Sequence, residues 1–242
     1  MRIAFTIVFS VLAGCSVAPP ATGITDPYEN VNRQVHAFNK ELDRAVLRPL
    51  GRAMAEGSPG LTRPVVNFSD NAGLPGTVVN NLLQGDIGGA ATNTVRFLLN
   101  STVGVLGFAD PAGAIGLHEV ETDFGETLAT WGLPEGAYLE LPGLGPSTER
   151  DALGRLVDFA IDPLDRLGDV PDAMQDLAFP ALVAEQVIER GELGETLDEV
   201  LDGSADSYAQ ARLIYLQNRR FELGQAPEAT DESYYFDPYE DQ

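Results

Sequence analysis

The chain has 242 residues, with 37 acidic side chains against 15 basic ones and a formal net charge of −22. Residues 15–118 hold 8 acids and 7 bases, whereas residues 119–242 hold 29 and 7. So acidic a second half argues against nucleic acid and against docking that half on anionic lipid headgroups; it reads as a solvated face or a dock for a basic partner, with the neutral half near a membrane. Cys15 is the only cysteine, which excludes disulfides and cysteine-based catalysis or metal sites within the chain.

Residues 1–14 read as a secretory signal. Arg2 is their only charge, Ile3–Leu12 is an apolar core, and small residues precede the cysteine. Leu12-Ala13-Gly14-Cys15 resembles the bacterial lipobox, in which the cysteine is lipidated and becomes the first mature residue; the alternative is an ordinary signal with a chance cysteine. Several acyl chains on Cys15 would anchor the protein stably where one would not. By the usual sorting of such lipoproteins, Ser16 after the cysteine implies the outer membrane. Ser16–Thr25, rich in Pro, Ala and Thr, reads as a tether.

The spacing of Tyr28, Val31, Val35, Phe38, Leu42 and Ala45 predicts a first helix, capped by Asp26, opened by Pro27 and stopped by Pro49. A turn at Gly57–Gly60 leads to an amphipathic segment over Leu61–Ser69.

Asn71–Leu117 differs from the rest. Charged residues make up 21% of the chain, yet these 47 positions hold only Asp86, Arg96 and Asp110. Its longest uncharged runs, Asn71–Gly85, Ile87–Val95 and Phe97–Ala109, are all too short for a bilayer-spanning helix, which needs about 20 apolar residues. The stretch is therefore an unusually apolar core or a part seated in a membrane without crossing it as a simple helix. Val78, Val79, Leu82 and Leu83 share a helical face after Pro75, with Asn80, Asn81 and Gln84 on another. Gly85 and Asp86 break this helix and cap the next, in which Ile87, Ala91, Val95, Leu98 and Leu99 oppose Asn93, Arg96 and Asn100. Thr102–Leu117, with four glycines, is expected to be an irregular or hairpin-like loop.

Downstream, Thr122 is expected to cap a short helix ended by Gly132, and Leu133–Pro146 to be extended. Helices are predicted from Ser147 to the Asp162-Pro163 break, over Pro180–Glu189 and Glu195–Leu201, and from a Ser204 cap to Phe221. Residues 223–242 read as an acidic disordered tail. The fold class is mainly α: one compact helical domain over residues 26–222 with Gly/Pro-rich loops.

The catalytic inventory is thin. His36 and His118 are the only histidines, no serine lies in a Gly-x-Ser-x-Gly elbow, and no phosphate loop, dinucleotide fingerprint or zinc-protease motif occurs. The chain is expected not to be an enzyme and to need no cofactor or metal. Asn80, Asn81, Gln84, Arg96, Asn100 and Val105 are the candidate lipid-path residues. Arg96, a cation in apolar surroundings, can meet a lipid phosphate or pair internally with Asp86 or Asp110. The amides can line a polar path or make helix-to-loop hydrogen bonds.

Several pieces in order resemble the MlaA (VacJ) family of outer-membrane lipoproteins. They are Asp26-Pro27-Tyr28-Glu29, Asn32-Arg33, Phe38-Asn39, Val79 through Asp86, Arg96 through Thr102, Asp123 through Leu128, Trp131-Gly132, Leu141-Pro142, Gly145 through Thr148 and Arg150-Asp151. Glu126, Ala129 and Ala137 depart from the family's commoner residues. The resemblance implies a ring-like helical protein in the periplasmic leaflet of the outer membrane, often beside a trimeric porin. Its amphipathic channel would remove mislocalised glycerophospholipids from the outer leaflet and pass them to the periplasmic carrier MlaC. The rival reading is a structural or scaffold lipoprotein that transports nothing.

Overall fold

A computed structural model describes residues 24–57, 59–161 and 172–225. The signal segment, Cys15, most of the tether, the Asp162-Pro163 break and the tail beyond residue 225 lie outside the described residues. The rest is mainly helical, with one two-stranded sheet.

The first helix, α1 (Glu29–Leu42), starts two positions later than its sequence signal suggests. Tyr28 is at the cap and makes no side-chain capping bond. Asp26 is instead taken by tertiary partners: its carboxylate accepts hydrogen bonds from Asn32, Tyr208 and Arg212. Pro49 does not stop the run. The chain loosens into a π-helical turn at Asp43–Leu47 and re-enters α2 (Arg48–Ala55), where Pro49 occupies a first-turn position. There its missing N–H is one of the donors a helix leaves unpaired anyway.

The expected turn and two separate segments before Gln84 are one helix from Pro59 onward, α3 (Pro59–Gln84), carried through Pro64 and Pro75. An interior proline costs about 3 kcal/mol, and packing along both flanks of α3 offsets it. Phe68 and Ala72 form a core with Met174 and Ala181 of α8 (Asp172–Glu192), and Phe97 of α4 (Ile87–Thr102) closes the other side. As expected, Gly85 turns the chain at φ +80° and Asp86 caps α4, accepting from the N–H of Gly89.

The loop that follows is irregular, apart from a single turn of helix, α5 (Pro111–Ala114). The next helix, α6 (Phe124–Thr130), is capped by Asp123 and not Thr122. The extended segment closes into a hairpin, β1 (Tyr138–Leu141) with β2 (Gly145–Thr148), so Ser147 is in a strand and α7 (Glu149–Ile161) starts after it. Pro180 lies inside α8. A short α9 (Gly194–Asp198) runs into a second π-helical turn at Glu199–Gly203, and the last helix, α10 (Ser207–Glu222), takes its cap from Asp206. Tyr138 of the hairpin packs with Tyr208 and Leu216 of α10 in a second core.

Candidate functional site

α4 and the end of α3 are built inside out, although the earlier part of α3 buries Phe68, Ala72 and Leu74. On α4, Gly89, Asn93, Arg96 and Asn100 recur at helical spacing and are all buried. On the opposite face Ile87 is 66% exposed and Leu98 57%, with Val95 and, just beyond the helix, Val103 also exposed. The end of α3 repeats the arrangement: Asn80 and Asn81 are buried, while Val79, Leu82 and Leu83 face out. In water this wastes apolar burial at about 25 cal/mol per Å². An apolar belt of this extent marks a membrane or protein interface, and in a bilayer polar groups must be satisfied inward.

Every sequence-predicted site residue on these helices is hydrogen-bonded internally, in three neighbouring groups that together make up the polar network. Asn93 donates to Asn81 Oδ1 (2.9 Å) and to the carbonyl of Val120 (2.9 Å), and accepts from Val120 N–H (3.1 Å). Asn80 donates to Asp158 Oδ1 (3.0 Å) and accepts from Thr127 Oγ1 (3.0 Å). Gln84 donates to the hydroxyls of Thr122 (2.6 Å) and Thr127 (2.9 Å). Asn100 donates to Asp110 Oδ1 (2.8 Å) and accepts from Ala112 N–H (3.1 Å). Of the readings left open for the amides, the structure contains helix-to-loop hydrogen bonds. Arg96 pairs with Asp110 at 3.5 Å, not with Asp86, and donates to the carbonyl of Leu117; its Nε has no partner.

Val105 stands apart from the network. It is 68% exposed at the tip of the loop after α4, with φ +55°, and Leu106 follows at φ +60°. Left-handed conformation costs a non-glycine residue about 1–2 kcal/mol. Hydrogen bonds from Leu106 N–H to Ser101 O (3.0 Å) and from Gly107 N–H to Asn100 O (2.8 Å) hold it there. Gly107, at φ +97°, lies against Asn71, where a Cβ would come within 2.6 Å of the amide nitrogen.

Beneath the pair, Asp70, Glu119, Glu121 and Glu185 oppose one another between α3, α8 and the segment before α6. Burial pushes the carboxyls of Glu119 and Glu185 up to about 7, helped by repulsion from Asp70. Ser69 donates to Glu185 at 2.5 Å. Among the described residues no group of three His, Cys, Asp or Glu side chains could hold a metal, and no helix is long and apolar enough to cross a membrane. His36 is held between Glu140 (3.2 Å) and Ser207 (3.1 Å).

The family model for the MlaA lipoprotein matches residues 24–222. The chain belongs to the MlaA lipoprotein family. It is 33% identical over 221 residues to the intermembrane phospholipid transport system lipoprotein MlaA of Escherichia coli K12, covering 88% of this chain and 84% of that one. The Haemophilus influenzae protein of the same name is 28% identical over 82% of this chain and 79% of its own. An uncharacterized Rickettsia bellii protein is 34% identical over 81% of this chain and 76% of its own. A solved structure described under "Structural basis for maintenance of bacterial outer membrane lipid asymmetry" superposes with a TM-score of 0.68 at 31% identity, covering 82% of this chain and 99% of that chain.

Three of the segments that carried the MlaA resemblance supply the network: Asn80, Asn81 and Gln84 on one, Arg96 and Asn100 on the next, Thr127 on the third. Sequence reasoning left Asn93, Thr127 and Asp158 out of the site. Asn93 was findable, since it shares a helical face with Arg96 and Asn100. Asp158, 78 residues from Asn80, gives no local signal.

Proposed function

We propose that this MlaA-family chain is a lipoprotein of the outer membrane, anchored through Cys15 in the periplasmic leaflet, that removes glycerophospholipids from the outer leaflet. The observation that carries the reading is the inverted α3–α4 pair: a protein that stays in water has no use for Ile87, Val95, Leu98, Val103 and Val105 outside and amides inside. In this reading Asn80, Asn81, Gln84, Arg96 and Asn100 form the polar inner wall of a lipid path, and Val105 meets the acyl chains. The network is neutral except for the Arg96–Asp110 and Asp158 contacts, so a moving headgroup meets few full charges that would hold it. Delivery is to the soluble periplasmic carrier MlaC, with a trimeric porin as neighbour, and no catalytic step is involved.

Deletion of the gene from its parent bacterium should raise outer-leaflet phospholipid, read by lipid A palmitoylation or surface labelling, and the intact chain should reverse it. No rise would favour a scaffold lipoprotein. A mass spectrum of the N-terminal peptide should show Cys15 acylated; an unmodified cysteine would remove the anchor from the account.

A further inference from the structure

The bases of the first half are almost all spoken for. Arg33, Lys40, Arg44, Arg48 and Arg52 reach across to Asp198, Asp202 or Asp206, and Arg96 pairs with Asp110. In the second half Arg150, Arg190, Arg212, Arg219 and Arg220 have carboxylate partners, and Arg155 donates to the carbonyls of Leu144 and Pro146. Among the described residues Arg63 is the one base with neither an ion pair nor a hydrogen bond. Arg63 is exposed and lies in the half of the chain where acids and bases nearly balance.

Arg63 lines an open cavity of about 590 Å³ between the start of α3 and the return limb of the Val105 loop. That volume falls in the range of small-ligand sites, about 300–1,000 Å³. Asn67, one helical turn on, lines the same cavity and spends one amide hydrogen on the carbonyl of Phe108 (3.3 Å). Phe108 stacks on Phe68 with ring centroids 4.8 Å apart, so the loop wall is pinned to the helix wall. Pro64, Phe108 and Ala109 supply apolar lining. Asp110 also lines the cavity, but its carboxylate is already engaged by Asn100, by Gly113 N–H and by Arg96. Outside the rim, Leu61 and Val105 are exposed.

We infer that Arg63, with Asn67 as a second donor, binds the phosphate of a glycerophospholipid headgroup in this cavity while the acyl chains lie along the neighbouring apolar belt. A guanidinium matches two phosphate oxygens with a planar pair of donors, which a lysine ammonium does not. The cavity offers one free cation and one amide at the edge of an apolar surface, the division of chemistry that a phospholipid itself has. The inference rests on the phospholipid reading above and adds a site to it.

The test uses the full lipidated chain in vesicles of phosphatidylethanolamine and phosphatidylglycerol carrying radiolabelled phosphate, with a photo-crosslinking residue at Gly60 on the cavity or, separately, at Val95 on the distant belt. Arg63→Ala should lower lipid crosslinking from Gly60 about ten-fold, the equivalent of ~1.4 kcal/mol for a lost charge-assisted hydrogen bond. Arg63→Lys should retain an intermediate yield, and crosslinking from Val95 should be unchanged by either. Because Arg63 holds nothing else in place, thermal melting of the variants should match the parent. Gly60 crosslinks indifferent to Arg63→Ala, or lost together with those from Val95 in the variant, would overturn the site. Excess inorganic phosphate that abolishes the Gly60 crosslink would assign the cavity to free phosphate and overturn the headgroup assignment. Absence of lipid crosslinks from both positions in the unaltered protein would sink the phospholipid reading itself.

Discussion

Asn93 closes two gaps with one amide. It ties the backbone N–H and C=O of Val120 to α4 and reaches Asn81 on α3, so three chain segments meet on a side chain of zero exposure. Asn93→Ala leaves those partners unsatisfied and should destabilise the protein by about 2 kcal/mol, read by thermal or denaturant unfolding in detergent. An unchanged midpoint would mean that water replaces the amide. Gly107 is the second such position. Gly107→Ala places a methyl group within 2.6 Å of Asn71 at φ +97° and should cost at least about 2 kcal/mol. The polar stripe that includes Asn93 was legible from helical spacing, but its partners were not. Val120 and Asp158 belong to segments with no periodicity relative to α4, and only folding brings them alongside.

At the scale of elements, the prolines and glycines divide the legible from the hidden. Gly85 and Asp86 ended and restarted helices as their chemistry requires, because turn conformation and capping are local. Pro64, Pro75 and Pro180 did not end helices, since packing against neighbours outweighs a local cost of a few kcal/mol, and Pro49 sits in a first turn where it costs little. The crossing of α2 and α8 shows the same dependence on tertiary contact. A Cβ on Gly191 would lie 2.1 Å from the carbonyl oxygen of Gly51, so the two backbones touch directly. Gly191→Ala should force the helices apart and destabilise by about 3 kcal/mol, with faster hydrogen exchange in both. The Glu185 contact adds a pH dependence to the α3–α8 packing. With Glu119 and Glu185 raised to about 7 from an ordinary 4.5, the folded state holds more protons than the unfolded state between those values. That part of the stability is complete below about pH 4.5 and lost as pH rises through 7. The protection of α8 amides, taken relative to their intrinsic exchange rates, should fall from pH 5 to pH 8, and Glu185→Gln should flatten that fall.

Over the whole molecule, the charge imbalance between the halves proves partly internal. Five bases of α1, the π-helical turn region and α2 are spent on Asp198, Asp202 and Asp206, so the acidic half is less solvated than its composition suggests. Among the described residues, what the halves leave over is an apolar belt and one free arginine, Arg63. The belt makes a prediction that separates water from lipid. Leu98→Asp on an exposed helix face should change stability in water by no more than about 0.5 kcal/mol, whereas the same charge at membrane depth costs about 2.5–3.5 kcal/mol. Flotation of a Cys15→Ala chain with vesicles should therefore weaken with Leu98→Asp, while its melting in detergent-free buffer holds. Equal flotation would place the belt against protein.

Helix content, the Asp86 break, the apolar stretch over Asn71–Leu117 and family membership were all present in the sequence by itself, because periodicity, capping residues and ordered motifs are local or linear signals. Which side of each helix faces inward was decided only in the tertiary structure. An amphipathic helix reads the same whether its apolar face is buried in protein or turned to lipid. The hydrogen bonds from Asn80, Asn93 and Asn100 to distant segments settle the direction: they turn the amides in and leave the leucines and valines out.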